Sequence, residues 1–157
     1  MSNSNLDFAV APGLQIVADS RCFVCGLKNE GGLQINFFRE GEKSAVARCR
    51  PDRRFMGYDG LVHGGVAGAL LDEIMIKAVL GRGKLVVTAR MTVSYKKPIR
   101  LDVPLTLRGT IKAERGRIVE TEGAILDDAG EVLTTATGTY VELTGKRRAQ
   151  REQALGR

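Results

Sequence analysis

Three groups of residues in this chain are placed to do chemistry: Asp72 beside Glu73, the string His63-Gly64-Gly65, and Cys22 with Cys25. The two carboxylates stand in an apolar stretch, where only Asp72, Glu73 and Lys77 are charged across residues 64–80. Burying a carboxylate is costly unless it is paired or hydrogen-bonded, so at least one of them is expected to face a cleft, the alternative being that both reach solvent. Adjacent helical positions point about 100° apart, so the two acids should not share a task. Two glycines at a helix start weaken it by roughly 1 kcal/mol each relative to alanine. They become useful if a ligand must approach the backbone, because exposed N–H groups and the helix dipole there can bind a carbonyl oxygen that becomes an oxyanion. His63, the sole histidine, is a candidate base or a structural residue.

Cys22 and Cys25 have the spacing of zinc ligands, but Cys49 and His63 are the only other soft ligands, so no closed metal site is expected. A reduced, packed loop is the expected reading, with a redox pair as the alternative. Lys96, Lys97 and Arg100 crowd one strand end, where they either bind phosphates or simply solubilise the surface.

The elements that must position these groups follow from periodicity. Residues 33–39 put Leu33, Ile35 and Phe37 on one face and read as a strand; 43–50 reads as a second, ending at Pro51. Residues 64–80 form the expected helix, apolar nearly all round and therefore buried, with Gly81 and Gly83 at its end. Residues 85–97 alternate, with Val87, Ala89, Met91, Val93 and Tyr95 on one face and Thr88, Arg90, Thr92, Ser94 and Lys96 on the other. Strands over 103–114, 117–127 and 131–143 follow, joined by connections short enough only for antiparallel hairpins. The order ββαββββ predicts an α+β domain, an antiparallel sheet of about six strands curled around one long helix.

At 157 residues the chain is expected to be one domain. An N-terminal extension over 1–20 and a basic tail over 145–157 flank a domain over 21–144. The net charge of +6 invites a nucleic-acid reading, but the tail alone carries +4, leaving +2 for residues 1–144. No aromatic residues interleave those charges, so a frayed, solvated tail is expected and no nucleic-acid partner. The longest nearly apolar run, 61–71, is too short to span a membrane. No Lys or Arg precedes Arg21 and no apolar core of a leader follows Met1, so the cytoplasm is the expected compartment.

The string Gly60-Leu61-Val62-His63-Gly64-Gly65, with Asp72 nine positions after His63, resembles the HGG…D signature of hotdog-fold acyl-CoA thioesterases, in particular the phenylacetate-pathway and human thioesterase-superfamily branch. Cys22-Phe23-Val24-Cys25-Gly26 with Asn29 and Gly32-Leu33 is similar to the CxxCG…N…GL lead-in of bacterial members, and residues 87–98 also fit. The resemblance implies a catalytic carboxylate at Asp72, either a general base on water or a nucleophile. It further implies a thioester-polarising N–H at Gly64, an orienting His63, and a hydroxyl at Thr88 near the attacking water. Gly65, Gly57, Lys96 and Lys97 fall on the substrate side. The chain departs from relatives at Gly57, where some carry a catalytic Asn, and at Phe55-Met56, where many carry His-Gln.

Helix geometry adds a constraint of its own. Gly64 and Asp72 are eight residues apart, about 12 Å along an axis, whereas a base acts within about 3 Å of its proton or through one water. A site using both must join Gly64 of one subunit to Asp72 of another, across a homodimer or within a homotetramer. The expected activity is hydrolysis of an acyl-CoA to a carboxylic acid and CoA, without cofactor or metal. A non-catalytic acyl-CoA sensor or carrier and a hotdog dehydratase are the alternatives.

Overall fold

The computed structural model describes residues 13–16 and 19–156. Seven strands form one antiparallel sheet: β1 (Gln15–Ile16), β2 (Phe37–Glu40), β3 (Ser44–Cys49), β4 (Val86–Tyr95), β5 (Leu105–Arg115), β6 (Ile118–Leu126) and β7 (Val132–Glu142). Their order across the sheet is β1-β2-β3-β5-β6-β7-β4. Helix α1 (Gly64–Leu80) leaves the chain between β3 and β4 and lies in the sheet's curve; α2 (Gly145–Ala154) follows β7. The α+β sheet curled around one helix, expected from the pattern, is therefore present, as is the hotdog fold that the resemblance implies, with a strand and a helix added at its margins.

A pair of glycines seats the helix. Gly109 on β5 and Gly123 on β6 are directly opposite in register. A Cβ at Gly109 would meet the Ile74 carbonyl oxygen at 2.5 Å, and one at Gly123 would meet Met75 Cγ at 3.0 Å. The helix backbone thus rests on bare sheet at its midpoint. On either side of that contact Leu70, Leu71, Ile74, Met75 and Val79 pack fully buried against Leu105, Leu107, Val119 and Ile125. Interior atoms this close leave no room for even one methyl group without strain.

Three expectations change. Residues 33–36 are not strand, because Gln34 adopts a left-handed backbone (φ 52°) that interrupts the extension. Leu33 and Ile35 stay buried and give their N–H groups instead to the carbonyls of Phe23 and Val24. The tail is not frayed over its whole length: α2 is ordered against the domain by Arg148 with Glu142 and Arg151 with Asp19. Of the expected N-terminal extension, Gln15–Ile16 pair with β2, while residues 1–12, 17 and 18 lie outside the described residues.

A further change bears on the site. In β4 the register against β7 slips between Thr88 and Arg90, so Ala89 is an extra, bulged residue. A bulge reverses which face later residues present. Thr88 therefore shares the helix-facing side with Met91, Val93 and Tyr95, although simple alternation separates them. β4 is also the sheet's edge, with Val87 and Tyr95 about half exposed.

Candidate active site

Helix α1 begins at His63, whose Nδ1 accepts the Gly65 N–H at 2.9 Å. Because Nδ1 is the acceptor, the imidazole proton sits on Nε2, and His63 serves as a helix cap rather than as a free base. A Cβ at Gly65 would press on the ring at 3.1 Å, which explains the second glycine. The N–H of Gly65 is thereby occupied.

The Gly64 N–H is different. Among the described residues no acceptor takes it. The carbonyl of the same peptide unit, that of His63, accepts from both Val66 and Ala67, which polarises the unit and strengthens the outward N–H as a donor. Tyr95 Oη donates to the Gly64 carbonyl at 2.7 Å and holds this turn against β4. A cavity of about 740 Å³ opens here, lined among others by Gly57, His63, Gly64, Ala67, Tyr95 and Lys96. Gly57 is needed for close approach: a Cβ there would stand 3.0 Å from His63 Cα. Lys97 lies at the rim and is paired with Glu131.

Asp72 sits two turns along α1, half-buried, and is absent from that cavity's lining. Its Oδ1 accepts Thr88 Oγ1 at 2.9 Å and Tyr140 Oη at 2.9 Å, while Oδ2 has only the longer Thr88 contact of 3.2 Å. One carboxylate oxygen is thus anchored twice, and the other keeps lone pairs for a water. Both donors are neutral hydroxyls, and no cation lies within ion-pairing distance of Asp72 among the described residues. Burial, then the Asp72 charge, pushes the Tyr140 phenol well above its ordinary range, so it stays a protonated donor.

Tyr140 has no part in the sequence reading. It is fully buried on β7, directly opposite Thr88 in register, and its ring fills the space a Cβ at Gly138 would occupy, 2.5 Å from Cε2. The available signal was the Gly138-Thr139-Tyr140 spacing; its meaning depends on strands 52 positions apart being paired at that register.

Cys22 and Cys25 meet neither Cys49 nor His63. They meet Glu73, and these three form the only set of His, Cys, Asp or Glu donors mutually within 4.8 Å among the described residues. Glu73 is also ion-paired with Lys77 at 3.4 Å. No described helix is long and apolar enough to cross a membrane.

Residues 59–134 match the family model described as the thioesterase superfamily. The chain is 27% identical over 128 residues to the acyl-coenzyme A thioesterase THEM4 of Xenopus laevis, covering 80% of this chain and 58% of the relative. It spans about half the length of the curated relatives it matches. A solved thioesterase superfamily protein is similar at a TM-score of 0.74 and 26% identity, covering 87% of this chain and 70% of that one. A hypothetical thioesterase protein with coenzyme A from Streptococcus pneumoniae TIGR4 is similar at a TM-score of 0.64 and 26% identity, covering 71% and 91%.

Proposed function

The chain belongs to the thioesterase superfamily, and from that premise we propose that it hydrolyses an acyl-CoA to a free carboxylic acid and CoA. The observation that carries the reading is Asp72: a carboxylate fixed through one oxygen by two hydroxyls, with its other oxygen open and no cation to neutralise it. In this mechanism Asp72 Oδ2 takes a proton from water as it attacks the thioester carbon. The Gly64 N–H receives the carbonyl oxygen as it gains charge, and the C–S bond then breaks while the departing sulfur takes up the proton that Asp72 accepted, releasing the CoA thiol and restoring the carboxylate. His63 orients the Gly64 turn through its cap on Gly65. Thr88 and Tyr140 position the carboxylate. Lys96, at the cavity mouth, meets the phosphates of CoA. The names of the THEM4 relatives and the coenzyme A in the pneumococcal structure support this substrate class.

The site is shared between two copies of the chain, in a dimer or tetramer. About 12 Å of helix separates Gly64 from Asp72, and the cavity beside Gly64 does not include Asp72. The exposed edge of β4, which carries Thr88 and Tyr95, supplies a strand on which a second copy can pair.

The test is free-thiol release from short, long and aromatic acyl-CoAs, with Asp72→Asn beside the wild type. Release that disappears in Asp72→Asn is the expected result; binding of the whole panel without release would favour an acyl-CoA sensor. Subunit sharing has its own test. Gly64→Pro removes the N–H and puts a ring in its place without disturbing the helix start: the preceding His63 (φ −59°, ψ 135°) already has a backbone that precedes proline well, and a Cβ at Gly64 would meet Tyr95 only at 3.6 Å. Mixing inactive Gly64→Pro and Asp72→Asn subunits should restore about a quarter of wild-type activity, because random pairing leaves one intact site in half of the dimers. No recovery after verified subunit exchange would place both groups in one chain.

A further inference from the structure

The cluster on the other side of α1 takes no part in that chemistry. Cys22 opens a tight turn in which its carbonyl accepts the Gly26 N–H at 2.9 Å, and its Sγ accepts the N–H groups of Val24 at 3.3 Å and Cys25 at 3.5 Å. Only glycine fits after Cys25, as a Cβ at Gly26 would lie 2.5 Å from the Cys22 backbone. The turn is clamped by Leu33 and Ile35, which give their N–H groups to Phe23 and Val24. Its two thiols are unequal: Cys22 is half-buried and Cys25 fully buried. Both lie against Glu73, with Cys22 Sγ 3.8 Å from Oε2. Glu73 in turn is paired with Lys77, which is 3% exposed.

We propose that Cys22 and Cys25 form a thiol–disulfide exchange site, with Cys22 as the attacking thiol, Cys25 as the resolving thiol and Glu73 as the acceptor of the Cys25 proton. Its substrate is a small-molecule disulfide. The Cys22 thiolate attacks one sulfur of that disulfide, forming a mixed disulfide and expelling the first thiolate. Cys25 then passes its proton to Glu73 and attacks the Cys22 sulfur, closing the Cys22–Cys25 bond and expelling the second thiolate. The protein dithiol loses two electrons, the external disulfide gains them, and the protons leave on the two released thiols.

The electrostatics agree with that division of labour. Hydrogen bonding from the Cys25 thiol, aided by the backbone N–H groups, lowers Cys22 to about 6 against the opposing effects of burial and Glu73. The bond to Cys22, burial and the Glu73 charge push Cys25 up strongly, so it stays protonated until a base takes its proton. Thiolates attack and thiols do not, which makes Cys22 the entry point. Cys49, fully buried and pushed up to about 12, provides an internal inert control. A metal fits less well. Among the described residues the cluster offers three donors, and the carboxylate among them is already bound to an ammonium group.

The test exposes the full chain to glutathione buffers of increasing oxidised fraction, followed by acid quench, alkylation in denaturant so that buried thiols are counted, and intact mass measurement. Wild type should lose two of its three alkylatable thiols together and retain Cys49. Cys25→Ser should stop at a mixed disulfide on Cys22, and Cys22→Ser should form neither product. A Glu73→Gln, Lys77→Met double variant, which leaves no buried ammonium without its partner, should form the mixed disulfide at the wild-type rate. It should resolve it at least about tenfold more slowly, the loss expected when a positioned base is removed. The proposal is overturned if wild type keeps all three thiols in the most oxidising buffer. It is also overturned if Cys25→Ser of native circular dichroism accumulates no mixed disulfide, or if stoichiometric Zn²⁺ on the reduced protein shields both thiols from alkylation.

Discussion

Asp72 and Glu73 are chain neighbours on the same apolar helix, yet they lie in opposite electrostatic surroundings. Glu73 faces an ammonium group and two thiols; Asp72 faces two hydroxyls and no cation. A carboxylate that meets a buried lysine is held as half of an ion pair, and its value is structural unless a proton donor lies beside it. A carboxylate that meets only hydroxyls, with one oxygen carrying both of the shortest contacts, keeps its other oxygen open to a water and free of any cation. The roughly 100° turn between adjacent residues is enough to assign one acid to each environment.

The sharpest way to break this contrast is to neutralise each acid in turn. Asp72→Asn should lower thioester hydrolysis by about 10³-fold, within the range expected for a positioned base, with the fold intact by circular dichroism. Glu73→Gln should do the converse. Leaving Lys77 buried without its carboxylate should lower unfolding free energy in urea by roughly 3 kcal/mol, while turnover per folded molecule stays within about twofold. If the two variants behave alike, the two environments are not distinct.

Tyr140→Phe tests whether the hydroxyl donors hold Asp72. It should cost about 1–2 kcal/mol in urea unfolding, because a half-buried carboxylate oxygen loses a partner. The pH dependence has a definite sign. Tyr140 is raised when folded, whereas in the unfolded chain it ionises near pH 10. Its contribution is thus complete below about pH 10 and is lost above it, as the unfolded state releases a proton that the folded state keeps. The stability gap between wild type and Tyr140→Phe should narrow as urea titrations move from pH 9 to 11, values chosen to bracket that ordinary phenol range of about 10. The smallest effect is expected from Thr88→Ala, about tenfold or less in turnover, since Tyr140 still holds Oδ1; Thr88→Ser should recover most of it.

Much of this was legible in the residues. The apolar run from 64 to 80 with two isolated acids predicts a buried helix carrying something costly, and α1 has those bounds. The hairpin spacing after residue 100 predicts β5, β6 and β7 because short connections permit nothing else. Tyr140 was not legible, since its meaning comes from standing opposite Thr88 on a strand far away in sequence. Nor was Glu73 as the neighbour of Cys22: nothing local to residues 22–26 says that this turn will fold onto the middle of α1. The same holds for α2, where mostly polar residues gain order from Glu142 and Asp19 elsewhere in the chain.

The extra residue at Ala89 has a further consequence. A regular strand serves a single parity, odd or even, on each side of its sheet. β4 serves both on one side: Thr88 is even, Tyr95 is odd, and each donates a hydrogen bond to α1, one to Asp72 and one to the Gly64 carbonyl. Counting is therefore part of the design of this strand. Deleting Ala89 would remove no polar side chain, yet it would turn one of those two hydroxyls outward. The placement of both hydroxyls thus depends on the strand's length in residues as well as on which residues it carries.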